Sequence, residues 1–170
     1  MKIRLAETKD FDQILVINQA GQPGVWPLTA SELGIILVNA PYFYVAEVQE
    51  EVAGYIIGYL PSSLYYGEEF SWFKQRYSHF LYIDQIAIAP WSRRAKIGTA
   101  LYTHAETFAR QERFTTLLAE VNLEPPNRVS IWFHQELGFR EVGILDLVDG
   151  RRVAFVEKSL APKEFESATG

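Results

Sequence analysis

Phe80-Leu81-Tyr82-Ile83-Asp84-Gln85-Ile86-Ala87-Ile88-Ala89-Pro90-Trp91-Ser92-Arg93-Arg94-Ala95-Lys96-Ile97-Gly98-Thr99-Ala100-Leu101 is the stretch that decides the fold. Phe80–Ala89 is a nearly continuous apolar run ended by Pro90, as expected of a central strand buried on both faces. From Ile97 the apolar residues recur at Leu101, Ala105, Phe108 and Ala109, a helical spacing that predicts a helix to Gln111. The loop between them holds Arg93, Arg94 and Lys96, in a chain whose net charge is −5. A helix N-terminus repels cations through its dipole, so three of them there are unfavourable unless an anion joins them. Free N–H groups in the first helical turn would add to such an anion seat. The plain alternative is a solvated loop that happens to be basic.

Outward from this stretch the chain alternates strands and helices. Ile3 and Leu5 predict a short strand. Asp10 stands where the N-cap of a helix through Phe11, Ile14 and Ile17 would be. Ser31–Val38 predicts a second helix, and Tyr42–Val48 with Val52–Leu60 a hairpin. A short helix is expected within Glu68–Tyr77. Thr115–Val121 predicts a strand, and Asn127–Leu137 a helix with Ile131, Trp132 and Leu137 available to the core. Gly138 ends that helix. Arg140–Leu147 and Arg152–Leu160 complete the set as a second hairpin. The order is that of one layered α/β domain over residues 1–160, with 161–170 as a frayed tail.

Composition narrows the function. The 170 residues are 48% hydrophobic and 14% aromatic, enough for a sizeable core and a lined pocket, and too rich for a disordered chain. With 0 Cys there is no disulfide framework, no thiolate metal site and no Cys nucleophile. The 3 His lack the short spacing of a shared metal site, so no metal is expected. The acidic balance argues against nucleic acid as a partner. No run approaches the about 20 apolar residues that cross a membrane, and Met1–Asp10 lacks a signal-peptide core. A cytoplasmic protein is expected.

The order of apolar strand, Pro, basic loop, Gly and helix resembles motif A of the GNAT superfamily of N-acetyltransferases. Asn127-Arg128-Val129-Ser130-Ile131-Trp132-Phe133-His134-Gln135-Glu136-Leu137-Gly138-Phe139 resembles its motif B. The resemblance covers Lys2–Leu160 and is closest to a bacterial group of acetyltransferases of unassigned substrate. It implies a mixed sheet of about six or seven strands, splayed in the middle, with about four helices on both faces. It implies acetyl-CoA as co-substrate. The backbone of Ile86, Ala87 and Ile88 would pair with the pantetheine arm by strand addition. Arg93, Arg94, Ala95, Lys96, Ile97, Gly98 and Thr99 would hold the pyrophosphate, and Asn127 would touch the cofactor near its pantetheine end. The family loop carries Gly where this chain has Lys96; a positive φ there would strain a lysine.

The resemblance also implies direct attack of a primary amine on the thioester. A base must take the amine's proton and an acid must serve the departing thiolate. Glu120 resembles the glutamate base of ribosomal-protein alanine acetyltransferases and is the first candidate. Asp84 interrupts an apolar strand, where a carboxylate is costly without a partner or a function. A salt bridge or a backbone hydrogen bond is its structural alternative. His134 sits where the superfamily often has a Tyr acid; its alternative is packing on the helix face. His79 and His104 are expected at the surface or in packing, and Trp132 and Phe133 in the core.

Gly21–Leu28 and Ser62–Tyr77 occupy the segments that build acceptor pockets in this superfamily. They supply Trp26, Tyr65, Tyr66, Phe70, Trp72 and Phe73, which suit an apolar or aromatic amine, whether a small molecule or a peptide. The same residues could cover the sheet or make a homodimer contact. The rival reading of the whole chain is a catalytically weak CoA-binding or regulatory module.

Overall fold

The computed structural model describes residues 1–160, and the expected tail at 161–170 lies outside them. The strands are β1 (Lys2–Leu5), β2 (Tyr42–Val48), β3 (Glu51–Tyr59), β4 (Phe80–Ile88), β5 (Thr116–Glu124), β6 (Arg140–Asp146) and β7 (Arg152–Ser159). The helices are α1 (Phe11–Gly21), α2 (Ala30–Asn39), α3 (Glu68–Lys74), α4 (Ile97–Gln111) and α5 (Arg128–Glu136). Five α-helices therefore stand where about four were expected, because the short α3 forms in full. The sheet order is β1-β2-β3-β4-β5-β7-β6, and only the β4–β5 pair is parallel.

The α-helices cover both faces. Ile14 and Ile17 of α1, Leu33 of α2, and Phe70 and Phe73 of α3 bury against one face. Ile97, Leu101, Tyr102, Ala105 and Ala109 of α4 bury against the other, beside Ile131 and Phe133 of α5. The β2–β3 hairpin turns at Gln49 and Glu50, both at positive φ (52° and 66°), so two residues suffice to reverse the chain. Strand β5 reaches Glu124, three residues beyond the expected Val121, because β7 pairs with it as far as Glu124↔Arg152.

Two expectations are corrected. Asp10 immediately precedes α1, but its side chain does not cap that helix. It accepts from both terminal nitrogens of Arg4, at 2.8 Å each, and from the Glu7 amide at 2.8 Å. Trp132 is 61% exposed rather than in the core. The buried side of α5 is centred on His134, and a helix advances about 100° per residue, so position 132 faces away.

The Arg4–Asp10 pair ties β1 to the start of α1, and Asp10 is buried. Arg4→Ala would leave that carboxylate without its cation, a loss of about 3–5 kcal/mol. Lys9→Ala, which removes only an exposed pair with Glu7, should cost under about 1 kcal/mol. Chemical denaturation of the two variants checks this; equal losses would contradict it. The guanidinium holds Asp10 below the usual carboxylate range. The stability from that pairing is present at neutral pH and is lost as acid protonates Asp10 in the folded state.

Candidate active site

Strands β4 and β5 pair from Phe80↔Thr116 to Ile83↔Ala119 and no further. Each continues beyond that point, but on a different partner. β4 stays on β3 as far as Ile88↔Gly54, while β5 stays on β7 as far as Glu124↔Arg152. The two ribbons thus part in the middle of the sheet, at the carboxyl end of the parallel pair. Asp84 and Glu120 are the first residues past the last paired rung. Glu120, next to last in the expected strand Thr115–Val121, therefore lies inside the longer β5, at the fork.

The fork opens into a cleft of about 530 Å³ lined by Asp84, Glu120, Tyr59, Tyr65, Trp26 and Arg151, among others. Asp84 Oδ1 accepts from the Tyr65 hydroxyl at 2.9 Å and from the Tyr82 hydroxyl at 3.2 Å. Glu120 Oε2 is closed off from solvent and has no hydrogen-bond partner. Burial raises the Glu120 carboxyl well above its ordinary value, and repulsion from Asp84 and Glu69 adds to this. Burial likewise raises Asp84, to about 6, against the two tyrosine hydrogen bonds that favour its charged form. Tyr65 stacks on Tyr59 with ring centroids 4.0 Å apart, which fixes the hydroxyl at Asp84. Arg151 reaches Glu69 at 3.4 Å and Asp149 at 2.8 Å, and its guanidinium lies 5.1 Å from the Trp26 ring.

A buried polar network positions the wall formed by the 21–28 loop. Asn18 donates to the Trp26 carbonyl (2.9 Å), the Tyr55 hydroxyl (3.0 Å) and Gln85 Oε1 (3.2 Å), and its own oxygen accepts from the Leu28 amide (3.0 Å). Gln85 Nε2 also donates to the Trp26 carbonyl, at 3.1 Å. Asn122 donates to the Pro23 carbonyl at 3.1 Å. The 21–28 loop is thereby fastened to β4 and β5 on both sides of the fork. The loop packs closely at Gly24, where a Cβ would lie 2.5 Å from Asn127 Nδ2 and 3.0 Å from the Gly21 carbonyl oxygen.

The basic loop has the form of an anion seat. Arg94 (φ 74°) and Lys96 (φ 56°) are both left-handed, which curls the backbone into a concavity. The first i−4 bond of α4 runs from the Ala100 amide to Lys96 O, so the amides of Ile97, Gly98 and Thr99 precede the helical ladder. Arg93, Arg94, Ala95, Lys96 and Thr99 are exposed, and none of the three cations is in an ion pair among the described residues. Gly98 is kept by packing: a Cβ there would lie 2.9 Å from the Phe133 ring. Asn127 Oδ1 caps α5 through the Ser130 amide at 3.1 Å.

The ladder also sorts the expected strand contacts. The Ala89 amide bonds Ala53 on β3, and antiparallel alternation then turns Ala87 toward Tyr55 of β3. Ile86 and Ile88 present their backbone groups to the parted side, and Ala87 does not.

His134 is not brought to the cleft. Its ring is 3% exposed. Nδ1 donates to the Ser130 carbonyl at 2.8 Å, so Nε2 is the nitrogen that accepts from the Tyr102 hydroxyl, at 2.6 Å. Burial holds it below the ordinary histidine value, and it stays neutral. Phe70 and Phe73 are buried in the core and Trp72 stacks on Phe155, so of the expected pocket aromatics only Trp26, Tyr65 and Tyr66 line the cleft. His104 packs as expected, bonded to Tyr42, and His79 is exposed. Among the described residues no group of three or more His, Asp or Glu is placed to hold a metal. Sequence reasoning passed over Asn18, Tyr55, Gln85, Asn122 and Arg151; only Gln85, a second polar residue inside an apolar strand, carried a local signal.

The model of the acetyltransferase (GNAT) family matches residues 11–139, most of the chain. The chain belongs to the GNAT acetyltransferase family. It is an acetyl-CoA-dependent N-acetyltransferase whose acceptor is unassigned. An N-alpha-acetyltransferase of Sulfurisphaera tokodaii is 29% identical over 157 residues, covering 85% of this chain and 83% of that protein. The crystal structure of Ard1 from Thermoplasma volcanium superposes with a TM-score of 0.75 at 20% identity, covering 93% and 96% of the two chains. That of an aminoglycoside 6′-N-acetyltransferase complexed with coenzyme A gives 0.71 at 15% identity, covering 96% and 99%. These structures share the fold with this GNAT chain.

Left-handed backbone at Lys96 predicts a simple outcome. Lys96→Gly should relieve strain of about 1 kcal/mol and raise the melting temperature by about 2–4 °C. Calorimetry checks it; a fall would mean that the loop does not hold this conformation.

Proposed function

We propose that the enzyme acetylates the α-amine of a polypeptide N-terminus by direct attack on the acetyl-CoA thioester, with Glu120 as the base and Asp84 as its partner, while the C–S bond breaks and the departing CoA thiolate takes its proton from solvent. The carrying observation is the unpartnered Glu120 Oε2 beside Asp84 at the fork. Two carboxylates facing one cavity repel each other, and an ammonium group entering between them offsets that repulsion. A carboxylate whose pKa is raised toward neutrality is a competent base for an ammonium proton. Asp84 is tied by Tyr65 and Tyr82, which suits it to hold the cation while Glu120 takes the proton. The polypeptide acceptor is supported by the named activity of the Sulfurisphaera relative.

Acetyl-CoA would supply the acyl group as a thioester. The outward backbone groups of Ile86 and Ile88 suit its two amides, and the curled amides of Arg94–Thr99 with Arg93, Arg94 and Lys96 suit its diphosphate. Asn127 Nδ2, left over from the helix cap, is a donor on the same side as Gly24. His134 acts as a positioning residue that orients Tyr102 and α5. Work in the cytoplasm, on neither nucleic acid nor membrane, is part of this reading and draws on the net charge of −5. A homodimer belongs to the same proposal and would draw on exposed aromatics such as Trp91 and Trp132.

Glu120→Gln should lower kcat by about 10²–10⁴ while the KM for acetyl-CoA changes little. Wild-type activity should climb with pH as Glu120 loses its proton, and that limb should vanish in the variant. The folded state holds this proton more tightly than the unfolded chain does, so wild-type stability declines as pH rises from the ordinary carboxylate value toward the raised one. The variant's gain in melting temperature should therefore be least near the ordinary carboxylate value and grow as pH rises above it. Undiminished turnover would remove Glu120 as base. Tight acetyl-CoA binding with no turnover on any amine would instead favour the regulatory-module reading.

A further inference from the structure

Exposed apolar side chains gather at the mouth of the cleft. Trp26 (53% exposed), Ile35 (61%), Leu64 (82%) and Tyr66 (87%) all line it, and they come from three separate segments. Leu28 and Ile36 line it beside them, partly buried. Apolar surface clustered round a concave site is costly in water and is typically covered by a ligand. The backbone that carries them is anchored. The Trp26 backbone is fixed by Asn18 and Gln85. Ile35 and Ile36 ride on α2, whose start is set by a reciprocal Thr29–Glu32 cap. Tyr65 turns inward to Asp84, and its neighbours Leu64 and Tyr66 are left outward on either side.

From these observations we infer that the acceptor carries a large apolar group next to its reacting amine, and that Trp26, Ile35, Leu64 and Tyr66 form the shelf that receives it. The occupant follows from continuity. The floor of the same cleft is Asp84 and Glu120, so whatever is bonded to an amine at that floor must lie along the mouth. For a polypeptide acceptor the group is the first side chain. The inference rests on the reading that this cleft takes the amine.

Two matched acceptor sets test it. One is short peptides that begin with Leu or Phe against Ser or Gly and are otherwise identical. The other is hexylamine and phenethylamine against ethanolamine. Leu-first and Phe-first peptides should show kcat/KM at least about tenfold above Ser-first ones. Leu64→Ser and Ile35→Ser should shrink that ratio at least about threefold, with folding verified by the melting-temperature rise on adding acetyl-CoA. Peptides acetylated at equal rates, or a ratio unmoved in both variants, would overturn the shelf and leave the polypeptide reading standing. Turnover confined to the free amines, with the apolar ones ahead, would support the shelf and remove the polypeptide acceptor. No turnover on either set would overturn both.

Discussion

Two parallel strands that share four rungs and then follow different partners govern the rest of this molecule. β4 cannot leave β3 without exposing its hydrogen-bonding groups, and β5 is held by β7 in the same way. The fork is therefore enforced from outside, by two strong antiparallel neighbours. Irregularities in register lie close by, between Ile57 and Gly58 and between Asn122 and Glu124. Such bulges bend strands and re-aim side chains next to active sites. The gap provides a free backbone edge and a cavity at once, with the basic turn after Pro90 at the end of the same strand.

The electrostatics follow from that geometry. Asp84 and Glu120 lie at the fork because the paired rungs end one residue earlier. Asp84 is held by two tyrosine hydroxyls while Glu120 Oε2 has no hydrogen-bond partner, so the two carboxylates are not equivalent. Arg151, in the wall of the same cleft, is engaged by Glu69 and Asp149 and offsets the repulsion between the pair only in part.

Much of this was legible in the residues. The apolar run to Pro90 marked β4, the spacing from Ile97 to Gln111 marked α4, and Asp84 stood out because a carboxylate in such a strand needs a reason. Lys96 at a position that bends left-handed was legible as strain. What was not legible depended on distant partners. Asn18 reads as an ordinary polar position in a helix, and its role appears only when Gln85, Tyr55 and the Trp26 carbonyl converge on it. His134 matched a motif by position, but its ring turns to Tyr102 rather than to the cleft. Trp132 lies two residues from the centre of the buried face of α5, and periodicity in a nine-residue helix was too short to show it.

Hydrogen exchange at the open edge of β4 tests the fork most directly. The amides of Ile86 and Ile88 should exchange fast in the free enzyme and slow by at least about tenfold when acetyl-CoA is added, while the Ala87 amide, already bonded toward β3, should be slow throughout. Protection of Ile86 and Ile88 in the free enzyme, or exchange that acetyl-CoA leaves unchanged, would mean that the strands do not part to receive it.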